Sequence, residues 1–292
     1  MGKPGKHPAA STDRSTIGFM TPFSPDLVRS PYLQALLGSM MEKLLELEHN
    51  LKWIMIRDKD LDNTDLAALI GQYGPVGGFV VPCWRHFPHL IEELQSHPEY
   101  PTVLINDFDP EVALSSIYCD NRAGVRQLFD HFQAQGYKKM GMVKGPEDIS
   151  PDARERSDEF LKCAAKAKTP LDERYIYESS RFDEEAGYHV MRFWIQRGDL
   201  PQAIFCANDD LARGSIHALQ EKGIRIPDQV AIAGFDDSKE LSLQQPPLTT
   251  IHQPLDTIGA AAVETVLNLI QKKSAKPIRL QFDVNLVVRA ST

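Results

Sequence analysis

Side chains that form paired hydrogen bonds follow most of the short apolar segments of this sequence. Amides, carboxylates and aromatic rings are frequent at these positions, which are residues 21–23, 82–84, 106–107, 144–146, 208–210, 235–237 and Gln253. A sugar or polyol hydroxyl both donates and accepts hydrogen bonds, so Asp, Asn, Gln and Arg suit it, while aromatic faces cover its C–H surface. The set therefore favours binding of a neutral, hydroxyl-bearing small molecule.

Motifs for cofactor binding and catalysis do not accompany these residues. No G-x-G-x-x-G follows the first predicted strand, where Gly18 begins the segment GFMTPF, and no phosphate-binding G-x-x-x-x-G-K-[ST] occurs. Neither a G-x-S-x-G elbow nor a cysteine with a local activator indicates nucleophilic catalysis. Cys83, His86 and His89 could attract a metal by their spacing, but no fourth ligand is evident. We therefore predict no cofactor, no metal and no enzyme activity.

Several of the polar residues have a structural alternative. Asp209 follows a strand and opens a helix, so it could serve as a helix N-cap, whereas Asn208 is harder to explain in that way. Asp236 and Asp237 could be turn carboxylates after Gly234. Asp209 and Asp236 could also act as a pair in glycoside cleavage, but sugar-binding proteins show carboxylates at such positions too. The carboxylates alone do not separate cleavage from binding.

Arginine and aromatic candidates leave similar alternatives open. Arg154 and Arg156 stand in the opening turns of a predicted helix, where a cation opposes the helix dipole, so a carboxylate or hydroxyl partner is expected. An exposed surface arginine is the alternative, and it fits Arg154 better. Tyr32, Phe182 and Trp84 could stack on a ligand or pack against neighbouring turns.

The elements that position these residues alternate between short apolar strands and amphipathic helices. The predicted helices span residues 31–48, 65–73, 89–95, 121–135, 154–167, 183–197, 211–221 and 255–271. The predicted strands span residues 17–20, 53–56, 78–81, 102–105, 140–143, 175–177, 203–207, 230–233 and 250–252, with further short strands near Arg279 and Val287. Two parallel sheets of about five strands each exceed one core, so we predict an α/β fold of two doubly wound lobes, with the C-terminal segment recrossing between them.

Length and composition agree with this architecture. The 292 residues provide material for about two domains, and 42% hydrophobic with 25% charged residues excludes a disordered chain. A net charge of −8 argues against this chain alone binding nucleic acid or an anionic membrane. No apolar segment is long enough to span a bilayer.

Cysteine spacing and the N-terminal residues favour a cytoplasmic protein. The four cysteines are widely separated, which is typical of reduced thiols, and no apolar signal segment precedes the first strand. Residues 1–14 are rich in Pro, Gly, Ser and Lys, so we predict a tail or linker there.

Four segments carry a more specific signal. They are SIYCDNRAG (116–124) with GYKKMGMVKGP (136–146), ANDDLARG (207–214), VAIAGFDD (230–237) and PLTTIHQP (247–254). In type and order they resemble the ligand-sensing core of the lactose repressor/galactose repressor family of bacterial transcription regulators, over nearly all of residues 15–292. The resemblance implies two doubly wound lobes joined by three crossovers, a fold shared with periplasmic sugar-binding proteins, with a small molecule between the lobes.

The resemblance also implies individual site residues. Ligand contacts are implied for Arg156, Asn208 and Asp236, stacking for Phe182, and contributions from Tyr32 and Gln253. Glu159 stands where the family usually has glycine after this arginine, which changes the packing of that helix. We assign residues 15–119 with 253–278 to an N-terminal lobe, and residues 120–252 with 279–292 to a C-terminal lobe.

The leading hypothesis follows from this resemblance. The chain is expected to be the effector-binding, dimerising part of a longer repressor, in which a helix-turn-helix head, not present here, contacts operator DNA and a sugar or related small molecule controls it. The alternative is a monomeric solute-binding protein that delivers a sugar to a transporter. A sugar-modifying enzyme is a third possibility. Mass in solution separates the first two, and turnover of a sugar would reveal the third.

Overall fold

Two parallel β-sheets flanked by helices form the protein. The computed structural model describes residues 13–22, 28–57, 64–82, 88–106, 109–272 and 276–292. Most of the predicted tail lies outside these residues, as do Cys83, Trp84, His86 and Asp107.

Twelve strands and eight helices are assigned within the described residues. The strands are β1 (Thr16–Pro22), β2 (Asn50–Ile56), β3 (Gly78–Pro82), β4 (Thr102–Ile105), β5 (Ser115–Cys119), β6 (Met140–Lys144), β7 (Ile176–Glu178), β8 (Ala203–Cys206), β9 (Ala231–Ala233), β10 (Thr250–His252), β11 (Arg279–Phe282) and β12 (Asn285–Val287). The helices are α1 (Pro31–Glu46), α2 (Leu66–Tyr73), α3 (Pro88–Ser96), α4 (Asn121–Ala134), α5 (Pro151–Lys166), α6 (Glu184–Gln196), α7 (Asp209–Glu221) and α8 (Leu255–Lys272). None of these helices has the length and hydrophobicity of a transmembrane segment.

The strands form two parallel sheets and one short antiparallel pair. The first sheet has the order β11–β5–β4–β3–β1–β2, and the second has the order β7–β6–β8–β9. Strands β10 and β12 pair with each other in antiparallel register. Helix α8 packs against α1 on the first sheet, and α4 packs against α5 beside the second. This architecture confirms the predicted α/β fold with two doubly wound parallel sheets.

The chain passes between the two sheets at three places in the described residues. The first crossover joins β5 to α4, the second joins β10 to α8, and the third joins β11 to β12. Residues 279–282, which the sequence analysis placed in the C-terminal lobe, instead pair with β5 in the first sheet. The backbone groups of β5 otherwise lack a partner on that edge, so a short strand from a distant part of the chain completes the ladder. The third crossover therefore lies at residues 283–284.

Helix α1 illustrates how the apolar pattern produces these layers. Leu33, Leu36, Met40 and Leu44 recur at three- and four-residue spacing, and all four are buried. Pro31 occupies the first turn, where its missing N–H has no intrahelical partner to lose.

Helices α4 and α5 pack through aromatic rings and one buried acid. Phe160 contacts Phe129 and Phe132, with ring centroids 5.5 Å and 6.4 Å away. Glu159 is buried and lies 2.9 Å from the guanidinium of Arg126 on α4. Burial raises the pKa of Glu159, but Arg126 and Lys162 outweigh that effect, so the pKa of Glu159 is lowered. The acid that replaces the family's glycine is thus accommodated by an ion pair between the two helices.

Candidate ligand site

The predicted site residues follow strands of both sheets or lie on the helices that those strands enter. Tyr32 is on α1 after β1, Arg156 on α5 after β6, Phe182 before α6, Asn208 directly before α7, Asp236 after β9 and Gln253 after β10. Carboxyl ends of parallel strands meet along one edge of a sheet, which is where ligands bind in this fold class.

Arg156 is held by contacts on several sides of its guanidinium. The side chain is 4% exposed, and its Nε donates to Oδ1 of Asn121 at 2.9 Å. Its Nη1 donates to the carbonyl oxygen of Ala207 at 2.8 Å. The guanidinium carbon lies 3.8 Å from the ring centroid of Phe235, a cation–π distance. The orientation of Arg156 is therefore fixed without a ligand.

Two carboxylates lie beside Arg156 just beyond hydrogen-bond distance. Oδ1 of Asp236 is 3.7 Å from Nη1, and Oδ2 of Asp152 is 3.8 Å from Nη2. Both distances exceed the 2.7–3.2 Å typical of hydrogen bonds that involve nitrogen. A ligand hydroxyl can accept from Arg156 and donate to either carboxylate, because it carries both functions.

Asp236 is held by the crossover strand β10 and the residue after it. Its backbone N–H donates to the carbonyl of Ile251 at 2.9 Å, and its φ of 130° lies where L-residues are rare. Nε2 of Gln253 donates to Oδ1 of Asp236 at 2.7 Å, while Oε1 of the buried Gln253 has no protein partner. Burial raises the pKa of Asp236 well above 3.8, and Arg156 opposes this shift. Gln253 therefore retains one acceptor for a ligand.

Asn208 serves partly as a helix cap. Its Oδ1 accepts from the backbone N–H of Leu211 at 2.9 Å, so Asn208, and not Asp209, is the N-cap of α7. Its Nδ2 donates to the carbonyl of Phe182 at 3.1 Å. Because an amide nitrogen has two hydrogens, one donor of Asn208 remains. The ring of Phe182 lies so close to Gly145 that a Cβ there would overlap it.

Tyr32 reaches the site from the first sheet. Its hydroxyl accepts from Nδ2 of Asn106, and Oδ1 of Asn106 has no protein partner. Burial raises the pKa of Tyr32 well above 10, and the nearby Asp152, Cys119 and Asp236 raise it further. The phenol therefore stays neutral and keeps its proton for donation. Asp152 and Asp236 act on Tyr32 from the far side of the crossovers, which brings both halves of the fold to one place.

Asp209 and Arg154 lie close to this site but have other partners. Asp209 is fully buried and accepts from Oγ1 of Thr250 at 2.6 Å and from the backbone N–H of Ser238 at 2.8 Å. Burial raises the pKa of Asp209 to about 6. Arg154 is exposed and donates to the carbonyl of Glu147 at 2.8 Å. Neither residue presents a free group to the site.

Three residues that the sequence analysis did not choose belong to this constellation. Asn121 binds Arg156, Asp152 faces it from one turn earlier on α5, and Asn106 binds Tyr32. Asn106 follows β4, so the strand-end signal included it. Asn121 and Asp152 carry no such signal, because their importance depends on the approach of α4 to α5.

Metal binding and thiol chemistry find no support in the part of the chain that the structure describes. No group of three His, Cys, Asp or Glu side chains is arranged to hold a metal ion there. Burial raises the pKa of Cys119, beside the site, to about 12, so its thiol stays protonated. The arrangement is suited to binding a neutral polyhydroxyl compound.

Comparison with known proteins gives consistent results. Residues 129–292 match the periplasmic binding protein-like domain family. The chain is 31% identical over 221 residues to the HTH-type transcriptional repressor PurR of Pasteurella multocida, covering 74% of this chain and 64% of that protein. It is 30% identical over 206 residues to the HTH-type transcriptional repressor CytR of Escherichia coli K12, covering 70% of this chain and 59% of that protein. The chain therefore spans less than two thirds of these relatives.

Solved structures share the fold at lower sequence identity. A complex of the transcriptional regulator CelR with cellobiose has a TM-score of 0.83 at 22% identity, covering 97% of this chain and 86% of that one. A lac repressor dimer bound to operator and an anti-inducer has a TM-score of 0.81 at 22% identity, covering 96% and 94%. A LacI family regulator from Enterococcus faecium with bound ribose has a TM-score of 0.81 at 22% identity, covering 95% and 98%.

Proposed function

Because this chain belongs to the lactose repressor/galactose repressor family of regulators, with its periplasmic binding protein-like domain, we propose that it senses a small molecule for a bacterial transcription repressor. The effector is a sugar or related polyol held between the two lobes. The protein is a cytoplasmic homodimer and is not an enzyme. A helix-turn-helix head contacts operator DNA, and effector binding changes that contact.

The arrangement of acceptors and donors around Arg156 carries this proposal. Arg156 supplies donors, while Asp236 and Asp152 supply acceptors 3.7 Å and 3.8 Å away from it. The amide oxygens of Gln253 and Asn106 are also without protein partners. Several hydroxyl groups on one ligand can satisfy these groups together, because each hydroxyl donates and accepts.

The ligand is uncharged according to this arrangement. One guanidinium faces two carboxylates, so a phosphate or carboxylate on the ligand would meet repulsion from Asp152 and Asp236. The sugars bound in the similar CelR and Enterococcus faecium structures, cellobiose and ribose, are neutral.

Effector binding acts by shifting a population of lobe arrangements. A ligand that contacts both lobes favours the arrangement in which both sets of contacts form. Each hydrogen bond contributes about 1 kcal/mol, so the contacts available from Tyr32, Arg156 and Asp236 reach the few kcal/mol that such a shift requires. The relatives compared above are repressors, which favours this proposal over a carrier that serves a transporter.

A homodimer agrees with exposed apolar side chains on α1. Met41 is 56% exposed and Leu45 is 80% exposed, on the face of α1 opposite its buried residues. Regulators of operators with two half-sites are two-fold symmetric, and the similar lac repressor is a dimer on its operator.

A thermal-shift screen tests the proposed function. Pentoses, hexoses, their phosphates and purines are added separately, and the unphosphorylated sugars are expected to contain the compound that stabilises. At one hundred times its Kd a ligand adds about 2.7 kcal/mol, which raises the Tm by about 5–10 °C for a protein of this size. A stabilising sugar phosphate or purine, with no stabilising sugar, would contradict the proposal.

Asp236→Ala identifies the site in the same assay. This variant is expected to lose the ligand-induced increase in Tm, because the carboxylate opposite Arg156 is removed. Asp228→Ala is the matched control, since Asp228 is 66% exposed and pairs only at the surface with Arg225. An undiminished increase in the Asp236→Ala protein would show that the ligand binds elsewhere.

A further inference from the structure

Asn121 is buried beside Arg156, and the proposed function gives it no role. It is the first residue of α4 and is 1% exposed. Its Oδ1 accepts from Nε of Arg156 at 2.9 Å. Its Nδ2 donates to Oδ1 of Asp152 at 2.8 Å and to Oε2 of Glu155 at 3.3 Å. Every one of these partners lies on α5, so the amide links the two helices at the ligand site.

Local requirements of α4 do not explain an asparagine at this position. The N-cap is Asp120, whose side chain accepts from the backbone N–H of Ala123 at 2.8 Å. Asparagine is a weaker helix former than alanine. The side chain of Asn121 is therefore explained by its tertiary contacts.

Asn121 contributes the one side-chain hydrogen bond to Nε of Arg156. The other fixed contacts of the guanidinium are the carbonyl of Ala207 at Nη1 and the ring of Phe235 against its face. A hydrogen bond at Nε restricts rotation of the guanidinium plane in a way that a contact at Nη1 alone does not. Without it, the group is free to turn toward Asp152, 3.8 Å away.

Helix α4 is in turn packed against the crossovers. A Cβ on Gly124 would lie 2.9 Å from side-chain carbons of both Ile251 and Val284, so the helix approaches both crossover segments closely. Nε2 of Gln127 donates to the carbonyl of Val284 at 3.0 Å, and its Oε1 accepts from the backbone N–H of Leu286 at 2.9 Å. The helix begins directly after the first crossover and contacts the other two.

We propose that Asn121 is a positioning residue that sets the plane of the Arg156 guanidinium and ties it to α4. A ligand that displaces or engages Arg156 then acts on the helix that is packed against all three crossovers. The role of Arg156 as a ligand contact rests on the proposed function. The positioning of Arg156 by Asn121 can be tested without any ligand.

Hydrogen exchange at Nε of Arg156 measures this positioning directly. The ligand-free full chain is labelled with ¹⁵N at arginine Nε, and the Arg156 signal is assigned by its absence in Arg156→Lys. Asn121→Ala is expected to speed exchange at this site by about tenfold or more, because the acceptor is lost. Arg122→Ala is the control, since Arg122 is 55% exposed and pairs with Glu155 without contacting Arg156. A residue needed only for folding would leave the Arg156 signal unchanged in a folded variant.

Exchanging the two side chains provides a rescue. Asn121→Asp alone places a second carboxylate against Asp152, whereas Asn121→Asp with Asp152→Asn restores one donor and one acceptor between the helices and keeps an acceptor for Arg156. The double variant is expected to recover slow exchange at Arg156 relative to Asn121→Asp. This comparison also serves if Asn121→Ala does not fold.

Two results would overturn the inference: unchanged exchange in a folded Asn121→Ala protein, or a double variant with no more protection than Asn121→Asp. Failure of the sugar screen, with the Arg156 exchange behaving as expected, would contradict the proposed function and leave the positioning role intact.

Discussion

Replacing Asp209 with asparagine should flatten the pH dependence of the free energy of unfolding between about pH 4 and pH 7. The carboxylate is fully buried and accepts from Thr250 Oγ1 at 2.6 Å and from the Ser238 N–H at 2.8 Å. Burial, with smaller effects from Asp237 and Asp210, raises the pKa of Asp209 from 3.8 to about 6. The folded protein therefore holds this proton at pH values where the unfolded chain has released it.

The sign and size of the effect follow from that difference. Because the folded pKa is raised, the stabilising contribution is complete below the unfolded pKa and is lost as the pH rises through about 6. At about 1.4 kcal/mol for each pH unit of the difference, the loss amounts to about 3 kcal/mol. Asparagine does not titrate, so the Asp209→Asn protein should lack this loss. Asparagine has one oxygen where Asp209 uses two, so the variant also carries a pH-independent cost of about 1–3 kcal/mol.

Urea unfolding at fixed protein concentration, at intervals from about pH 4 to pH 8, gives the comparison. The difference in free energy between the two proteins should change by about 3 kcal/mol in favour of the variant as the pH rises. Asp228→Asn, at an exposed position, should follow the wild-type curve. Parallel curves for the wild-type and Asp209→Asn proteins would refute a raised pKa at Asp209.

Two further predictions concern packing and assembly. Gly187→Ala should destabilise the protein by more than about 3 kcal/mol in urea unfolding, because the added Cβ would overlap the backbone carbonyl of Leu211 where α6 meets α7, whereas Gly38→Ala, with open space around it, should be neutral or stabilising by up to about 1 kcal/mol; equal effects would contradict this account of the α6–α7 contact. Replacing Met41 and Leu45 together with glutamate should lower the mass in solution from dimer to monomer, as measured by sedimentation, and an unchanged mass would place the dimer interface elsewhere.

The order of elements could be predicted from the sequence because it depends on local patterns. The spacing of Leu33, Leu36 and Met40 indicates an amphipathic helix wherever that segment lies in the fold. The short apolar runs indicate strands in the same way. Strand β11 shows the limit of this reasoning, since its four residues give little pattern and its place beside β5 depends on a partner far away in the chain.

The candidate site divides along the same line. Residues after strands could be chosen in advance, because parallel strands present their carboxyl ends at one edge, and Arg156, Asp236 and Gln253 lie together in the structure. The role of Asn208 as the N-cap of α7 is also local, although the sequence analysis assigned capping to Asp209. Whether any of these residues binds a ligand stays a prediction.

By itself the sequence determined the succession of strands and helices, the family and the acid, amide and arginine residues available for binding. Tertiary structure decided which of them meet. Asn121 and Asp152 became part of the site because α4 and α5 pack side by side, and Asp209 lost contact with solvent because three separate segments enclose it. Such proximities depend on contacts between residues far apart in the chain, and periodicity and propensity carry information only about near neighbours.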